Sequence, residues 1–296
     1  MAQSRRELDH KPFPIGTRGW VLLVALLLGL WAWFALDLEL RQFLPRDSSP
    51  LTEFLRAAMH PALDSQDEGL GSEGRYLVLQ NCLHGLGRTI LFAAASLLLS
   101  ILAGFLLGLL ATSTWWAGDP TASSRRAGLF LRRFVGPIVS ICAKILATLL
   151  RSVHELFWAL IFLAAFGSGP LTGVLALALP FTGTLAKIYA EMLEESPSGP
   201  SHALRDLGAS RLQVFFFGRL PAAFPDMMAY TLYRFECALR SSAVLGFFGY
   251  ATVGYFIKIS FENLYYREVW TYLYGLFLLI ILVDAWSGSL RRRMAA

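Results

Sequence analysis

The stretch Thr89-Ile-Leu-Phe-Ala-Ala-Ala-Ser-Leu-Leu-Leu-Ser-Ile-Leu-Ala-Gly-Phe-Leu-Leu-Gly-Leu-Leu-Ala-Thr-Ser-Thr-Trp-Trp116 contains no charged residue. A helix needs about 20 apolar residues to cross the hydrocarbon core of a bilayer, so this stretch predicts a transmembrane helix. Of the 296 residues, 55% are hydrophobic and 16% are charged, whereas soluble chains carry about 25% charged residues. This composition excludes a disordered chain, a small disulfide-rich scaffold and an ordinary soluble enzyme.

Five further apolar stretches are long enough to be candidate spans, at residues 20–36, 137–166, 171–186, 221–249 and 268–286. Together they predict an all-α, polytopic membrane protein with about six transmembrane helices. Gly167-Ser-Gly-Pro170 predicts a turn between the third and fourth spans. Between the first two spans, the spacing of Leu51, Phe54, Leu55 and Ala58 predicts a short amphipathic helix, which either lies on the membrane or docks an outside partner.

Lys and Arg predict the orientation of the spans, because cytoplasmic segments carry an excess of them. With six spans both termini lie on one face, and that face collects fifteen basic residues against seven on the other. We therefore expect the N- and C-termini to be cytoplasmic. The net charge of +5 is explained by this asymmetry, and no nucleic-acid partner is predicted.

Ionisable residues inside a span are costly unless they are paired or hydrated, so they are functional candidates. Arg151 and Glu155 in the third span, and Glu236 and Arg240 in the fifth, are spaced i, i+4, which places each pair on one face of a continuous helix. His154 and Arg234 are their neighbours. These six residues either lock helices together as ion pairs or line a hydrated, positively biased path for a small anion. Neither His154 nor the cysteines have metal-ligand spacing, so no metal site is predicted.

The segment after the fourth span predicts two short helices joined by a rigid break. Ser201 is expected to cap a helix that runs to Leu207, and Gly208 fits the left-handed position that ends a helix. A second helical stretch is expected from Ser210 toward the fifth span. The resulting elbow is either gripped by a partner on the cytoplasmic face or held in the interface by lipid.

Ala203, Gly208, Leu220 and Pro221 resemble the cytoplasmic loop motif of permeases of ABC importers, although His202 stands where the family usually has Glu. Three further motifs resemble the phosphonate-type permeases. They are Arg151-x-x-x-Glu155-Leu, Tyr230-Thr-Leu-Tyr-Arg-Phe-Glu236 and Arg240-Ser-x-x-Val-Leu-Gly246. The family's glycine-rich run is reduced here to Gly246, Gly249 and Gly254, and His154 replaces its usual proline.

This resemblance implies a type I ABC importer permease fold in a multi-pass protein of the bacterial inner membrane. Residues 1–88 would form the N-terminal cytoplasmic segment, the first helix and a periplasmic loop, and residues 89–296 the permease core with a cytoplasmic coupling loop at 191–220. The substrate would be a small phosphorus oxyanion: a phosphonate, phosphite or hypophosphite. The substrate path would use Arg151, His154, Glu155, Arg234, Glu236 and Arg240, and the gate Gly246, Gly249 and Gly254.

By the same resemblance the chain is not an enzyme and binds no cofactor, and ATP and Mg²⁺ are used by a cytoplasmic ATPase dimer. No Walker Gly-x4-Gly-Lys-Ser/Thr loop occurs in the sequence. The coupling residues would be Ser201, His202, Ala203, Arg205, Asp206, Gly208 and Ala209. The other expected partners are a second permease subunit, identical or related, a periplasmic substrate-binding protein and membrane lipid.

A self-contained secondary transporter is the alternative, with the intramembrane charges acting as a proton relay. A membrane-embedded enzyme would need a nucleophile or metal cluster, for which only Glu155 and His154 are available in the spans.

Overall fold

The computed structural model describes residues 17–36, 49–66, 76–113, 135–197 and 199–295, and every regular element within these ranges is a helix. The chain forms two compact units, Met1–Glu53 and Phe54–Ala296. The predicted all-α class is therefore confirmed for the described residues.

Ten α-helices follow one another along the described chain. They are α1 (Thr17–Ala35), α2 (Ser49–Ala58), α3 (Leu77–Ala111), α4 (Gly136–Ser152), α5 (Glu155–Phe166), α6 (Pro170–Glu195), α7 (Gly199–Asp206), α8 (Leu220–Val244), α9 (Val253–Glu262) and α10 (Tyr266–Ala295). A short α-helical stretch, Arg211–Gln213, and a π-helical turn, Val214–Arg219, lead into α8, and a 3₁₀ turn, Leu245–Phe248, follows it.

Three of these helices, α3, α6 and α10, are long and apolar enough to cross a membrane singly. Two bent pairs reach that length together: α4 with α5, and the helical run of residues 211–248 with α9. The first predicted span forms α1, whose apolar part Gly19–Ala35 is shorter. The described chain thus supplies three to five spans by length and composition, with α1 as a further short apolar helix.

The second predicted span begins earlier than expected. Helix α3 starts at Leu77 rather than at residue 89, so His84 and Arg88 belong to the helix and not to the preceding loop. Residues 114–116 of that predicted span lie outside the described ranges. The predicted turn is confirmed. Gly167 follows the last residue of α5 with φ +77°, and Pro170 occupies the first position of α6.

Helix α3 packs most extensively against α6, through a stripe of small residues. Every fourth residue along this stripe is small and buried: Ser96, Ser100, Gly104, Gly108 and Thr112. A Cβ on Gly104 would lie 2.9 Å from Leu185 Cβ, and one on Gly108 would lie 2.9 Å from the carbonyl oxygen of Ala186. Small residues let two helix backbones approach closely in a membrane, and these two glycines are where that approach is tightest on α3.

Four core layers follow α3 from its beginning to its end, and in the last of them Ala111 packs with Ala143 of α4 and Ala190 of α6. Val78 and Cys82 pack with α9 and α10, Phe92 and Ala93 pack with α5, α6 and α8, and Leu97 packs with α6 and the segment before α8. Because each layer includes α3, this helix is the axis around which the second unit is assembled.

The segment Phe54–Gln66, which we call the strap, is fastened to the first turns of α10. Trp270 Nε1 donates to the carbonyl of Phe54 (2.8 Å), Tyr274 Oη to that of Ala58 (2.8 Å) and Thr271 Oγ1 to that of Ala62 (2.6 Å). The carboxylate of Glu268, which is 5% exposed, accepts from the backbone N–H of Gln66 (2.6 Å) and from Ser260 Oγ (2.8 Å).

These bonds fix the position of the strap, which includes most of the predicted amphipathic helix, on the bundle. It is therefore not a helix that only rests on lipid.

We expect Gly108→Ala to destabilise the protein by about 1–3 kcal/mol, because the added methyl group meets the backbone of α6, which cannot move aside. Gly87→Ala is the matched control in the same helix, since a Cβ there meets nothing within 4 Å. That control should be neutral or stabilising by about 0.5–1 kcal/mol. Thermal unfolding of the purified variants in detergent measures both, and equal midpoints would contradict close α3–α6 packing.

Candidate functional site

The predicted third span is broken in the middle of its charged residues. Val153 and His154 adopt extended backbone angles, and α4 and α5 meet there at 87°. His154 occupies the N-cap of α5, where its Nδ1 accepts from the backbone N–H of Leu156 at 3.3 Å. The third predicted span is therefore not one continuous helix, and His154 is a capping residue whose side chain is 59% exposed.

The break also separates Arg151 from Glu155. They were expected to share one face of a continuous helix, but Arg151 ends α4 and is exposed, whereas Glu155 begins α5. Glu155 instead accepts a hydrogen bond from Ser241 Oγ at 2.7 Å and lies 3.7 Å from His154 Nε2. Within the described residues, its partners therefore come from α8 and from the adjacent cap.

The Glu155–Ser241 bond joins α5 to α8 and brings the two predicted charged spans together. Arg240, the residue before Ser241, is exposed, as is Arg151. Four of the six predicted path residues, Arg151, His154, Glu155 and Arg240, therefore lie close in sequence to this one contact. Two exposed arginines and one partly buried carboxylate thus lie near this contact along the chain, which gives this part of the sequence a positive bias.

Arg234 lies about 9 Å further along α8 at 1.5 Å per residue. Its guanidinium carbon is 4.3 Å from the centroid of the Phe181 ring on α6, and its Nε is buried without a hydrogen-bond partner in the described chain. A cation over an aromatic face is attracted by the ring quadrupole. Packing therefore positions the guanidinium, and its Nε–H has no hydrogen-bond partner among the described residues.

Glu236 pairs with a residue from the end of the chain. Its i, i+4 spacing allowed a pair with Arg240, but its Oε1 lies 3.4 Å from Arg291 of α10, too poorly aligned for a hydrogen bond. Glu236 is 6% exposed, and Arg291 also lies 3.9 Å from Asp284. The Glu236–Arg240 ion pair, one of the two alternatives open from the sequence, does not form, because the helix packing presents Glu236 to α10. Its carboxylate therefore joins α8 to α10.

The three predicted gate glycines meet at the junction between α8 and α9. A Cβ on Gly246 would collide with the backbone of Gly254 and Tyr255, and one on Gly254 with the carbonyl of Ala243. Gly249 ends the 3₁₀ turn with φ +90°. Close approach and left-handed geometry together explain why glycine occupies these three positions. At this break the helical run of residues 211–248 and α9 are bent by 45° relative to each other.

The elbow is confirmed in outline. Helix α7 ends in a Schellman arrangement, in which the N–H of Gly208 bonds to the carbonyl of Arg205 (2.8 Å) and the N–H of Ala209 to that of Leu204 (3.0 Å). Gly208 has φ +80°. Ser210 then caps the next stretch in a reciprocal capping box with Gln213.

The helix-capping position predicted for Ser201 is wrong, and its coupling role stays a prediction. Helix α7 begins at Gly199, so Ser201 lies inside it and is 2% exposed. A Cβ on Gly218 would lie 3.2 Å from Ser201 Oγ and 3.2 Å from Leu204 Cδ1. Ser201 therefore packs α7 against the π-helical turn, and the two parts of the elbow form one compact piece.

The remaining predicted coupling residues lie on the elbow's surface. His202, Ala203, Arg205, Asp206 and Gly208 are exposed, and Ala209 is partly exposed. Sequence reasoning missed Leu207, whose side chain is 84% exposed at the apex between the two helical parts. Its position directly before Gly208 was the available signal, because a left-handed stop leaves the preceding side chain at the corner. The elbow thus presents the exposed apolar side chain of Leu207, flanked by charged side chains.

The chain matches the family described as the inner membrane component of binding-protein-dependent transport systems, over residues 125–296. This range includes both helix junctions and the elbow. The chain belongs to this family: it is an ABC importer permease of the phosphonate type and a multi-pass inner membrane protein.

Two curated relatives each match a little more than half of this chain. The phosphite transport system permease protein PtxC of Stutzerimonas stutzeri is 38% identical over 156 residues, which are 53% of this chain and 57% of that protein. The phosphate-import permease protein PhnE of Mycolicibacterium smegmatis is 33% identical over 175 residues, which are 58% of this chain and 33% of that one. The matched segments therefore cover about half and one third of these relatives.

A solved structure of an amino acid ABC transporter with histidines shares the fold. The likeness has a TM-score of 0.59 at 17% identity and covers 73% of this chain and 94% of that chain. This agrees with the expected type I importer permease fold.

We expect Arg291→Gln to lower the free energy of unfolding by about 2 kcal/mol, because it leaves the buried Glu236 carboxylate without its partner. Arg292→Gln is the control, since it removes the same charge from the adjacent, exposed position. The double variant Glu236→Gln/Arg291→Gln should recover part of the loss. Thermal unfolding of purified protein measures the series, and an Arg291 variant as stable as the Arg292 variant would contradict the pairing.

Proposed function

We propose that this chain is the membrane-spanning subunit of an ATP-driven importer for a small phosphorus oxyanion. The observation that carries the proposal is its 38% identity, over 53% of the chain, to a permease named for phosphite transport. Phosphonate, phosphite and hypophosphite are the candidate substrates, and the relative named for phosphate import adds phosphate to the panel.

The charges of the α5–α8 junction support an anionic substrate. Arg151 and Arg240 are exposed, and each lies within four residues, along the chain, of a partner in the Glu155–Ser241 hydrogen bond. Arg234 adds donor capacity deeper along α8. Planar guanidinium groups bind phosphorus oxyanions through paired N–H donors. These arginines would attract and pass the anion, and the permease itself would make and break no covalent bond.

The elbow supports coupling to a separate ATPase. Its compact packing around Ser201 and Gly218 allows it to move as one piece, and the π-helical turn connects it to α8 without a loop. A push on Leu207 and its charged neighbours would therefore be transmitted along α8 to the glycine junction at Gly246 and Gly254. This is rigid-body switching, in which a packed element moves between two arrangements.

The partners in this proposal follow from that arrangement. A cytoplasmic ATPase dimer uses ATP and Mg²⁺ and engages the elbow, a second permease subunit completes the path, and a periplasmic binding protein delivers the substrate. The elbow and both termini then lie on the cytoplasmic side. The chain itself needs no cofactor in this scheme.

The test is uptake by the complex purified from host membranes through a tag on this chain and reconstituted into vesicles. Phosphite, hypophosphite, phosphate and a phosphonate are supplied with loaded binding protein, with sulfate as the control anion. We expect uptake of at least one phosphorus oxyanion that needs ATP and survives a protonophore. Uptake without ATP, or its collapse with a protonophore, would support the secondary transporter instead.

In the same assay, Arg240→Gln should lower uptake about tenfold, because one charge contact to the anion is worth about 1.4 kcal/mol. Arg292→Gln is the control and should leave uptake unchanged. The thermal unfolding midpoint separates binding from folding. If the Arg240 variant loses stability in proportion to uptake, the residue is structural and does not contact the anion.

Gly208→Pro should uncouple transport, because proline fixes φ near −65° where the chain needs +80°, and it removes the N–H that bonds to Arg205. Gly199→Pro is the matched control, since proline is tolerated at the first position of a helix. We expect the stimulation of ATP hydrolysis by loaded binding protein to fall about tenfold in the first variant alone. Full stimulation with Gly208→Pro, at normal membrane insertion, would show that the elbow is not the coupler.

A further inference from the structure

A groove of about 530 Å³ lies between α3 and α6, on the side of the bundle away from the elbow. Its lining comes from one face of α3 and the first two turns of α6: His84, Gly87, Arg88, Leu91, Phe92, Ala95, Pro170 and Val174. None of these residues belongs to the α5–α8 junction, to the junction between α8 and α9, or to the elbow.

The groove is apolar except at one end. His84 and Arg88 are one turn apart on the same face of α3, and the rest of the lining carries no charge. Arg88 is half-buried and forms no ion pair or hydrogen bond with another described residue. A cation beside hydrocarbon is costly unless an anion or water reaches it. The groove therefore fits a ligand that has an anionic end and an apolar end.

The depth of the groove fits the membrane surface. Pro170 is the first residue of α6 and Val174 lies one turn further in, so the groove begins where α6 enters the bundle. On α3, the distance from His84 to Ala95 is about 16 Å at 1.5 Å per residue. The cationic end thus lies at the level where a span begins, and the apolar end runs inward along both helices.

We propose that this groove binds a phospholipid with a net negative headgroup, with its phosphate at Arg88 and His84. One acyl chain lies along Leu91, Ala95 and Val174. Arginine and a histidine N–H are both donors to phosphate oxygens. The lipid satisfies the free cation and fills the apolar wall at the same time.

Two other occupants fit the groove less well. A free phosphorus oxyanion would leave most of the lining unused, because a small hydrated anion has no apolar part. A second copy of this chain would cover the apolar wall but would bury Arg88, which is expensive unless a carboxylate meets it. The charge pattern therefore favours the lipid.

The test uses the intact complex in nanodiscs of phosphatidylglycerol and phosphatidylethanolamine, released into the gas phase for native mass spectrometry. Retained phosphatidylglycerol per permease chain is the readout. Arg88→Gln should reduce it about fivefold, as one cation contributes about 1 kcal/mol to binding an anionic headgroup. Ala95→Phe should reduce it as well, by filling the groove without removing a charge. Lys258→Gln is the control, because it removes one positive charge outside the groove, and it should retain the lipid.

Three results would overturn the proposal. The first is equal retention by Arg88→Gln and the unaltered protein. The second is loss of the retained lipid on adding phosphite at concentrations that saturate transport, which would assign the cations to the substrate. The third is a disulfide between copies carrying Leu91→Cys, which would show that a second copy covers the groove. Uptake is measured separately, so a failure of the lipid proposal would not count against the proposed transport function.

Discussion

The close approach of α3 to α6 is the constraint on which the rest of the second unit depends. Ser100 donates to the carbonyl of Ala178, and Gly104 and Gly108 leave no room for a side chain against Leu185 and Ala186. Lipid tails are as apolar as leucine, so packing and hydrogen bonding, rather than hydrophobic burial, hold membrane helices together. With this pair fixed, the other helices have a common surface to pack on.

The charged residues have two different uses in this framework. Glu236 is buried and bound to Arg291, and Glu155 is tied to Ser241, so both carboxylates join helices. Arg151, Arg234 and Arg240 keep donor groups that no described carboxylate takes up. The two carboxylates therefore join helices, whereas the three arginines form no ion pair with a described carboxylate.

Local pattern predicted part of the local structure, but it misplaced the start of α7 at Ser201 and missed the break at His154, and it failed where partners come from distant segments. Gly208 and Ser210 behave as expected, because a left-handed stop and an N-cap are decided within a few residues. The expectation that Arg151 and Glu155 share one helix face failed, since it assumed a helix that is continuous through His154. The partner of Glu236 lies 55 positions away along the chain and follows only from packing, which no spacing rule reports. The remaining site roles are predictions.

The way the strap is attached has a consequence for which substitutions the protein tolerates. Most of the hydrogen bonds between the strap and α10 use the strap's backbone on one side and a side chain of α10 on the other. Ser65, Gln66 and Phe54 are exceptions, because the first two bond to Glu268 through their side chains and the ring of Phe54 packs against Tyr266 and Trp270. Exposed strap positions such as Leu55 and Met59 can therefore change in evolution without loosening the attachment, whereas Trp270, Thr271, Tyr274 and Glu268 cannot.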